Sequence, residues 1–337
     1  MFMRGLRRKF FSPVFILIAL NALLSGCNGK QPAEPISETR LLLNTFCTIT
    51  IYDTQNRAIL NEALDLCAEY EALLSMTAEG SDVWRINHAR GAPVDVAPQT
   101  VEIIRAGLEY GGLSGGMFDI TIGRLSALWD FTGQSGVPSE SDIAYACGTV
   151  DYRQVEINGN TVQLANPEAW IDLGGIAKGY IADRAADLLK ESGVRSAVID
   201  LGGNVVAVWR KLDGSPWRIG VTKPFSERND LIGVVETGEA SVVSSGVYER
   251  QFEENGVRYH HILDPFTGMP VKSSVTGATV VTVSSMDGDA LSTIMLLLGG
   301  ERASEAFAGL TGFFGAVIVD EDGGVSLHGD VGFRGEQ

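Results

Sequence analysis

Cationic residues are scarce in this chain: 26 lysines and arginines stand against 42 aspartates and glutamates, for a formal charge of −16. A body so acidic repels polyphosphate backbones, which argues against a nucleic-acid partner. An anionic ligand would have to be gripped by local devices: backbone N–H groups, a helix N-terminus or a metal ion. Cysteine is rarer still. The four cysteines show no CxxC spacing, so neither a disulfide framework nor a zinc site is indicated, and Cys47, Cys67 and Cys147 read as free thiols. The apolar run Val14–Leu24 is only eleven residues, too short to cross a bilayer comfortably.

What surrounds that run gives it a different meaning. Four basic residues precede it and Leu24-Ser25-Gly26-Cys27 closes it, in the order of a bacterial lipoprotein signal. The reading is a signal peptide over 1–26, lipidation at Cys27, and a polar, proline-containing tether over 27–39. The protein would then be held to a membrane on the extracytoplasmic side of the cell envelope. Removing residues 1–26 deletes four positive charges and no negative ones, so the remaining body is more acidic than the whole chain.

From residue 40 to 332 no linker interrupts the pattern, and one compact domain is expected. Glycine is plentiful, at 40 residues, which implies many tight turns. Leu41–Tyr52 reads as a first strand. Apolar spacing predicts helices over Asn56–Leu74 and from Pro98 through Leu108; further helices are expected from about Ile176 to Ser192, stopped by Gly193, and from about Gly288 to Leu298. Hairpins with Asn-Gly turns are expected in Val155–Leu164 and across Glu253–Gly256. Further strands fall at Ala197–Leu201, Val275–Val283 and Phe314–Val319. Strands and helices mix without a βαβα rhythm, so the fold class is α+β, a mixed β-sheet with packed helices.

Three stretches could carry chemistry. The pentapeptide IDLGG occurs twice, at 171–175 and 199–203. Only the first copy is followed by a helix, and only it can aim free N–H groups at an anion. It is neither GxGxxG nor a Walker loop, so it announces no ordinary nucleotide fold. In Asp287-Gly288-Asp289-Ala290-Leu291-Ser292-Thr293, Asp289 and Thr293 are four apart and share a helix face. A carboxylate beside a hydroxyl suits Mg2+ or Ca2+, although Asp287 could equally be a helix cap. Adjacent His260 and His261 point to opposite sides of a strand, so one at most can line a pocket as a proton acceptor.

Taken in order, GMFDITIGRLSALW, IDLGGIAKGY, VIDLGGN, SSGVYER, HHILDPFTG and DGDALSTIMLLLG resemble the FAD:protein FMN transferases, the ApbE family of flavinyltransferases. The resemblance runs from about Leu43 to Leu298. It implies an ApbE-like fold and an enzyme that moves the FMN half of FAD onto a threonine or serine hydroxyl of an acceptor protein, releasing AMP. It implies a metal, Mg2+ with Ca2+ or Mn2+ as alternatives, held by Asp289, Thr293 and the carbonyl of Gly175. It further implies FAD contacts at Leu43, Thr77, Met117, Phe118, Asp119, Asp172, Lys178 and Leu263, with His261 as general base. The partners implied are FAD and an acceptor, expected to be a membrane redox subunit. The chain departs from the family at Thr77, where several members place a tyrosine that stacks on the flavin nucleotide, and at Lys178, where some relatives carry an acidic residue. Thr276-Gly277-Ala278-Thr279 is similar to the acceptor sequence but lies in an apolar run, and is expected to be a buried strand. Two rival readings are an FAD pyrophosphatase using the same site and a solute-binding lipoprotein.

Overall fold

A computed structural model describes residues 34–132, 136–226 and 230–335. The expected signal segment, Cys27 and most of the expected tether lie outside the described residues. Eight strands form the central sheet: β1 (Ile36–Leu42), β2 (Thr45–Ile51), β3 (Ser196–Leu201), β4 (Asn204–Trp209), β5 (Ala240–Gly246), β6 (Val275–Thr282), β7 (Phe313–Asp320) and β8 (Val325–Gly329). Their order across the sheet is their order in the chain, and every neighbouring pair is antiparallel. The ordered body therefore begins inside the stretch expected to be tether, at β1. It also passes residue 332, because Phe333–Gly335 pairs with Leu231–Thr237.

Four helices set the functional face: α1 (Arg57–Leu74), α2 (Pro98–Leu113), α3 (Ala177–Glu191) and α4 (Ser285–Leu298). Inward side chains of β2 and β3, among them Cys47, Ile49, Ile51, Ala197, Ile199 and Leu201, bury against α1 and α3. Val280, Ala278 and Ile318 do the same against α4. On the opposite face Val242, Val281 and Val317 pack on Val221 and Val235 of a three-stranded sheet. A separate cluster collects Leu125, Trp129 and Leu263 with the aromatic rings of Phe131, Phe252 and Tyr259. No helix among the described residues is long and apolar enough to cross a membrane.

Several expected boundaries move for local reasons. The strand expected at Leu41–Tyr52 is a hairpin, because Leu43 and Asn44 both take φ of 55° and turn the chain. α2 does not stop at Leu108. It continues through Gly111 because a Cβ there would meet the Tyr152 ring at 2.8 Å, and one at Gly107 would meet Ile120 at 2.5 Å. The glycines thus let the helix lie against its neighbours, and the break comes at Gly115 and Gly116, where φ turns positive. α4 starts at Ser285, capped by Ser284, whose hydroxyl accepts from the N–H of Asp287. Asp287 is therefore not the cap; its carboxylate accepts from Tyr110 Oη at 2.5 Å. Thr276 and Thr279 are buried in β6, with hydroxyls bonded to the Val319 and Asp320 carbonyls and to Ser244.

Candidate active site

The two IDLGG copies have different backbones. In the second, Gly202 and Gly203 have φ of 65° and 100° and form the two-residue turn between β3 and β4. In the first, Ile171–Leu173 is extended but outside any strand, and neither Gly174 nor Gly175 takes a positive φ. This copy is held by Asn87, whose amide bonds both the N–H and the carbonyl of Ile171, and by Asp172 N–H donating to Ile120 O. Asp172 Oδ1 in turn accepts from Gly174 N–H at 2.8 Å. Gly175 is required by closeness: a Cβ would lie 2.9 Å from the Phe118 ring and 4.0 Å from Thr293 Oγ1.

α3 and α4 pack antiparallel over their first halves, with Gly175 near Thr293, Gly179 against Ser285, and Asp183 at Ser284. They exchange carboxylates for backbone donors. Asp183 of α3 accepts from Ser284 Oγ and from the N–H groups of Ser285 and Met286, capping α4. Burial holds its carboxyl above the usual range in spite of those bonds. Asp289 of α4, only 2 % exposed, accepts from Gly179 N–H at 3.0 Å and so caps α3, whose own N-cap residue Ile176 supplies no side chain. A Cβ on Gly179 would stand 2.2 Å from Ser285 O. Glycine at this position allows the two helix ends to touch.

Gly179 N–H, one of the donors that a helix start leaves without an intrahelical acceptor, goes to Asp289, while Gly175 precedes the N-cap and lies outside the helical ladder. Among the described residues the Gly175 carbonyl accepts no hydrogen bond. The Asp289 carboxylate, the Thr293 hydroxyl, which itself donates to Asp289 O, and this carbonyl are hard oxygen donors on α4 and on the segment that leads into α3. Such a set fits a small dication. No group of three or more His, Cys, Asp or Glu able to hold a metal occurs among the described residues, so the fit rests on this mixed set. Lys178 Nζ, 3.1 Å from Asp289 Oδ1, supplies the balancing charge in the ligand-free protein.

The other expected residues stand in different surroundings. Phe118 is buried against Gly175, and Met117 packs on the same core cluster. Asp119 Oδ1 accepts from the N–H and hydroxyl of Thr121, and its Oδ2 from Tyr152 N–H, which braces the loop. Burial raises its carboxyl above the usual range. Leu43 occupies its left-handed turn with its N–H on Glu71 Oε1 at 2.9 Å. Thr77 is exposed, its N–H on Ser75 Oγ, and Leu263 is buried in the Trp129 cluster. Among the described residues no hydrogen bond ties either one to the centre. His261 is held low, to about 3, by burial and by the neighbouring Arg250 charge, with smaller contributions from His260 and Lys178. Its Nδ1 faces the Arg250 carbonyl at 3.3 Å; with a proton there, Nε2 carries the free lone pair. Asn87, Gly179 and Asp183 were not singled out from the sequence. Their partners lie 84, 110 and 101–103 positions away, and no local spacing marks them.

Fold and site together define an antiparallel α+β protein in which two packed helices cap each other with buried aspartates. The chain belongs to the ApbE family, whose model matches residues 43–314. It is 36% identical over 275 residues to an FAD:protein FMN transferase of Klebsiella pneumoniae, covering 80% of this chain and 84% of that one. A second relative of that name, from Vibrio cholerae, is 31% identical over 85% of this chain and 88% of its own. The crystal structure of the ApbE protein from Thermotoga maritima superimposes with a TM-score of 0.80 at 32% identity, covering 88% of this chain and 97% of that one.

Proposed function

We propose that this chain transfers the FMN half of FAD to a threonine or serine hydroxyl of an acceptor protein, in a reaction that requires a divalent cation. The observation that supports the reading is the approach of Gly175 to Thr293, one turn from Asp289 on the same helix, in a chain of this family. In the proposed reaction the acceptor oxygen attacks the phosphorus on the riboflavin side of the diphosphate. The P–O bond to the AMP half breaks, AMP leaves with the bridging oxygen, and the hydroxyl proton passes to His261.

Asp289, Thr293 and Gly175 would hold Mg2+, Ca2+ or Mn2+, which supplies stabilisation of negative charge on phosphate oxygens. The chain's own groups do the rest. His261 is neutral through the physiological range, and its Nε2 lone pair can receive the proton of a hydroxyl, a contribution of about 10²–10⁴-fold in rate. The Phe118 ring, fixed against Gly175, walls the pocket on one side. Lys178 provides a positive charge at the diphosphate. FAD contacts are assigned to Leu43, Thr77, Met117, Phe118, Asp119, Asp172, Lys178 and Leu263 on the family pattern; Asp119 would act through its backbone, since its carboxylate is already committed.

Lipidation of Cys27 and attachment to the outer side of a membrane belong to the same proposal, with a membrane redox subunit as acceptor. The test is to incubate the protein with FAD, Mg2+ and a candidate acceptor and to follow covalent flavin by in-gel fluorescence and intact mass. The acceptor should gain one FMN. Release of free FMN and AMP with no attachment across a panel of acceptors would assign an FAD pyrophosphatase instead, and the absence of any FAD turnover would leave a binding lipoprotein.

A further inference from the structure

We propose that Lys178 is an exchangeable counter-ion that makes the divalent cation and the diphosphate bind interdependently, an inference that rests on the metal-site reading above. Asp289 is almost fully buried, so its charge must be matched inside the protein. Gly179 N–H on Oδ2 belongs to the α3 backbone and is fixed in place. Lys178 on Oδ1 is different: its side chain is 25% exposed and stands on a flexible four-carbon stem. The two contacts on one carboxylate thus differ in kind, one permanent and one movable.

A dication at Oδ1 would share that atom with an ammonium 3.1 Å away, and like charges at that range repel. The ammonium must leave. Lys178 makes no other ion pair among the described residues, so its departure leaves it without an anion. Metal alone therefore binds against the loss of the pair. A diphosphate alone must compete with Asp289 for the same ammonium. When both bind, the cation takes the carboxylate and Lys178 turns to a phosphate oxygen, so each ligand removes the cost met by the other. Coupling of this kind is reciprocal. In a chain with so few cations, one lysine serves two anions in turn.

The experiment titrates the intact protein with Mn2+, reading free Mn2+ by electron paramagnetic resonance, with no nucleotide present. Lys178→Met should bind Mn2+ about tenfold more tightly than the unaltered protein. Lys178→Gln gives the same reading should the methionine variant not fold. A second titration adds saturating ADP, which carries the diphosphate but no flavin to transfer, and subtracts the Mn–ADP formed in solution. ADP should raise Mn2+ affinity about tenfold in the unaltered protein, and that gain should largely vanish in the lysine variants. Equal Mn2+ affinity with and without Lys178, or an undiminished ADP effect in the variants, overturns the proposal. Asp289→Asn separates the two levels. If that variant still binds Mn2+ normally, the metal site itself is wrong and this proposal falls with it. If it abolishes binding while the lysine variants match the unaltered protein, only the counter-ion role fails.

Discussion

Asp289 is the residue on which both stability and chemistry converge, and its replacement separates the two. Asp289→Ala leaves a buried backbone N–H at Gly179 and the Lys178 ammonium without their acceptor. Urea denaturation should show a loss of about 1–3 kcal/mol, the usual cost of stranding a buried polar group. Flavin transfer should vanish from the fraction that remains folded. His261→Ala should keep FAD affinity, measured by fluorescence, while transfer falls by about 10²–10⁴-fold. Unchanged transfer would remove the base assignment. His261 also predicts a pH effect whose sign follows from its lowered value: the unfolded imidazole takes its proton near 6.5, the folded one near 3. Between these values the unfolded chain binds the extra proton. The stabilising contribution is complete above 6.5 and drains away as pH falls toward 3. Urea midpoints for His261→Gln should therefore decline less steeply with acidification than those of the unaltered protein. Asp289, Thr293 and His261 were readable as candidates because each sits in a short run that resembles the family pattern. Asn87 and Asp183 were not, since what makes them important is a partner across the fold.

Between elements, the decisive event is the contact of two helix starts. α3 lacks a side-chain cap of its own and receives one from α4; α4 receives reinforcement from Asp183 of α3. This exchange fixes the spacing of the pair, and with it the separation of Gly175 from Thr293. Gly179→Ala tests it directly, because a methyl group there meets backbone, not a yielding side chain. The helices must part, at a cost of about 1–3 kcal/mol read as a lowered thermal midpoint. Metal affinity should fall in parallel, which a purely local packing defect would not cause. The periods of α1 and α2 were readable from apolar spacing. Helix ends were less so: α4 gained a turn because Ser284, not Asp287, caps it, and α2 ran on through glycines that serve helix packing. The Leu43–Asn44 turn was invisible for another reason, since leucine seldom adopts positive φ and gives no turn signal. Its strained backbone beside an expected FAD contact is compatible with a conformation kept for the site.

For the whole molecule, the question is how far the fold depends on what the site binds. The eight-stranded sheet is covered by α1, α3 and α4 on one face and, over β5 to β7, by the three-stranded sheet on the other. What holds it together is apolar packing. The antiparallel meander, each strand beside its predecessor, was foreseeable as α+β from the irregular alternation of strands and helices, but strand order was not, because the long insertions between β2 and β3 and between β5 and β6 hide which strands meet. A core independent of the site predicts that metal acts by mass action on the folded state alone. Adding a chelator to the metal-loaded protein should abolish transfer while leaving the far-ultraviolet circular dichroism unchanged. The thermal midpoint should fall by only the linkage amount, about 2.7 kcal/mol of stability if the metal had stood at a hundred times its dissociation constant. The scarcity of lysine and arginine sharpens the expectation for nucleotide: with the metal removed, an anionic dinucleotide meets a chain whose acidic residues outnumber its basic ones by 16 and loses one of the local devices that could receive it. FAD affinity should then drop at low ionic strength and recover partly as added salt screens the body's charge. Affinity that is insensitive to both chelator and salt would mean that the dinucleotide is held by its rings alone, away from the α3–α4 junction.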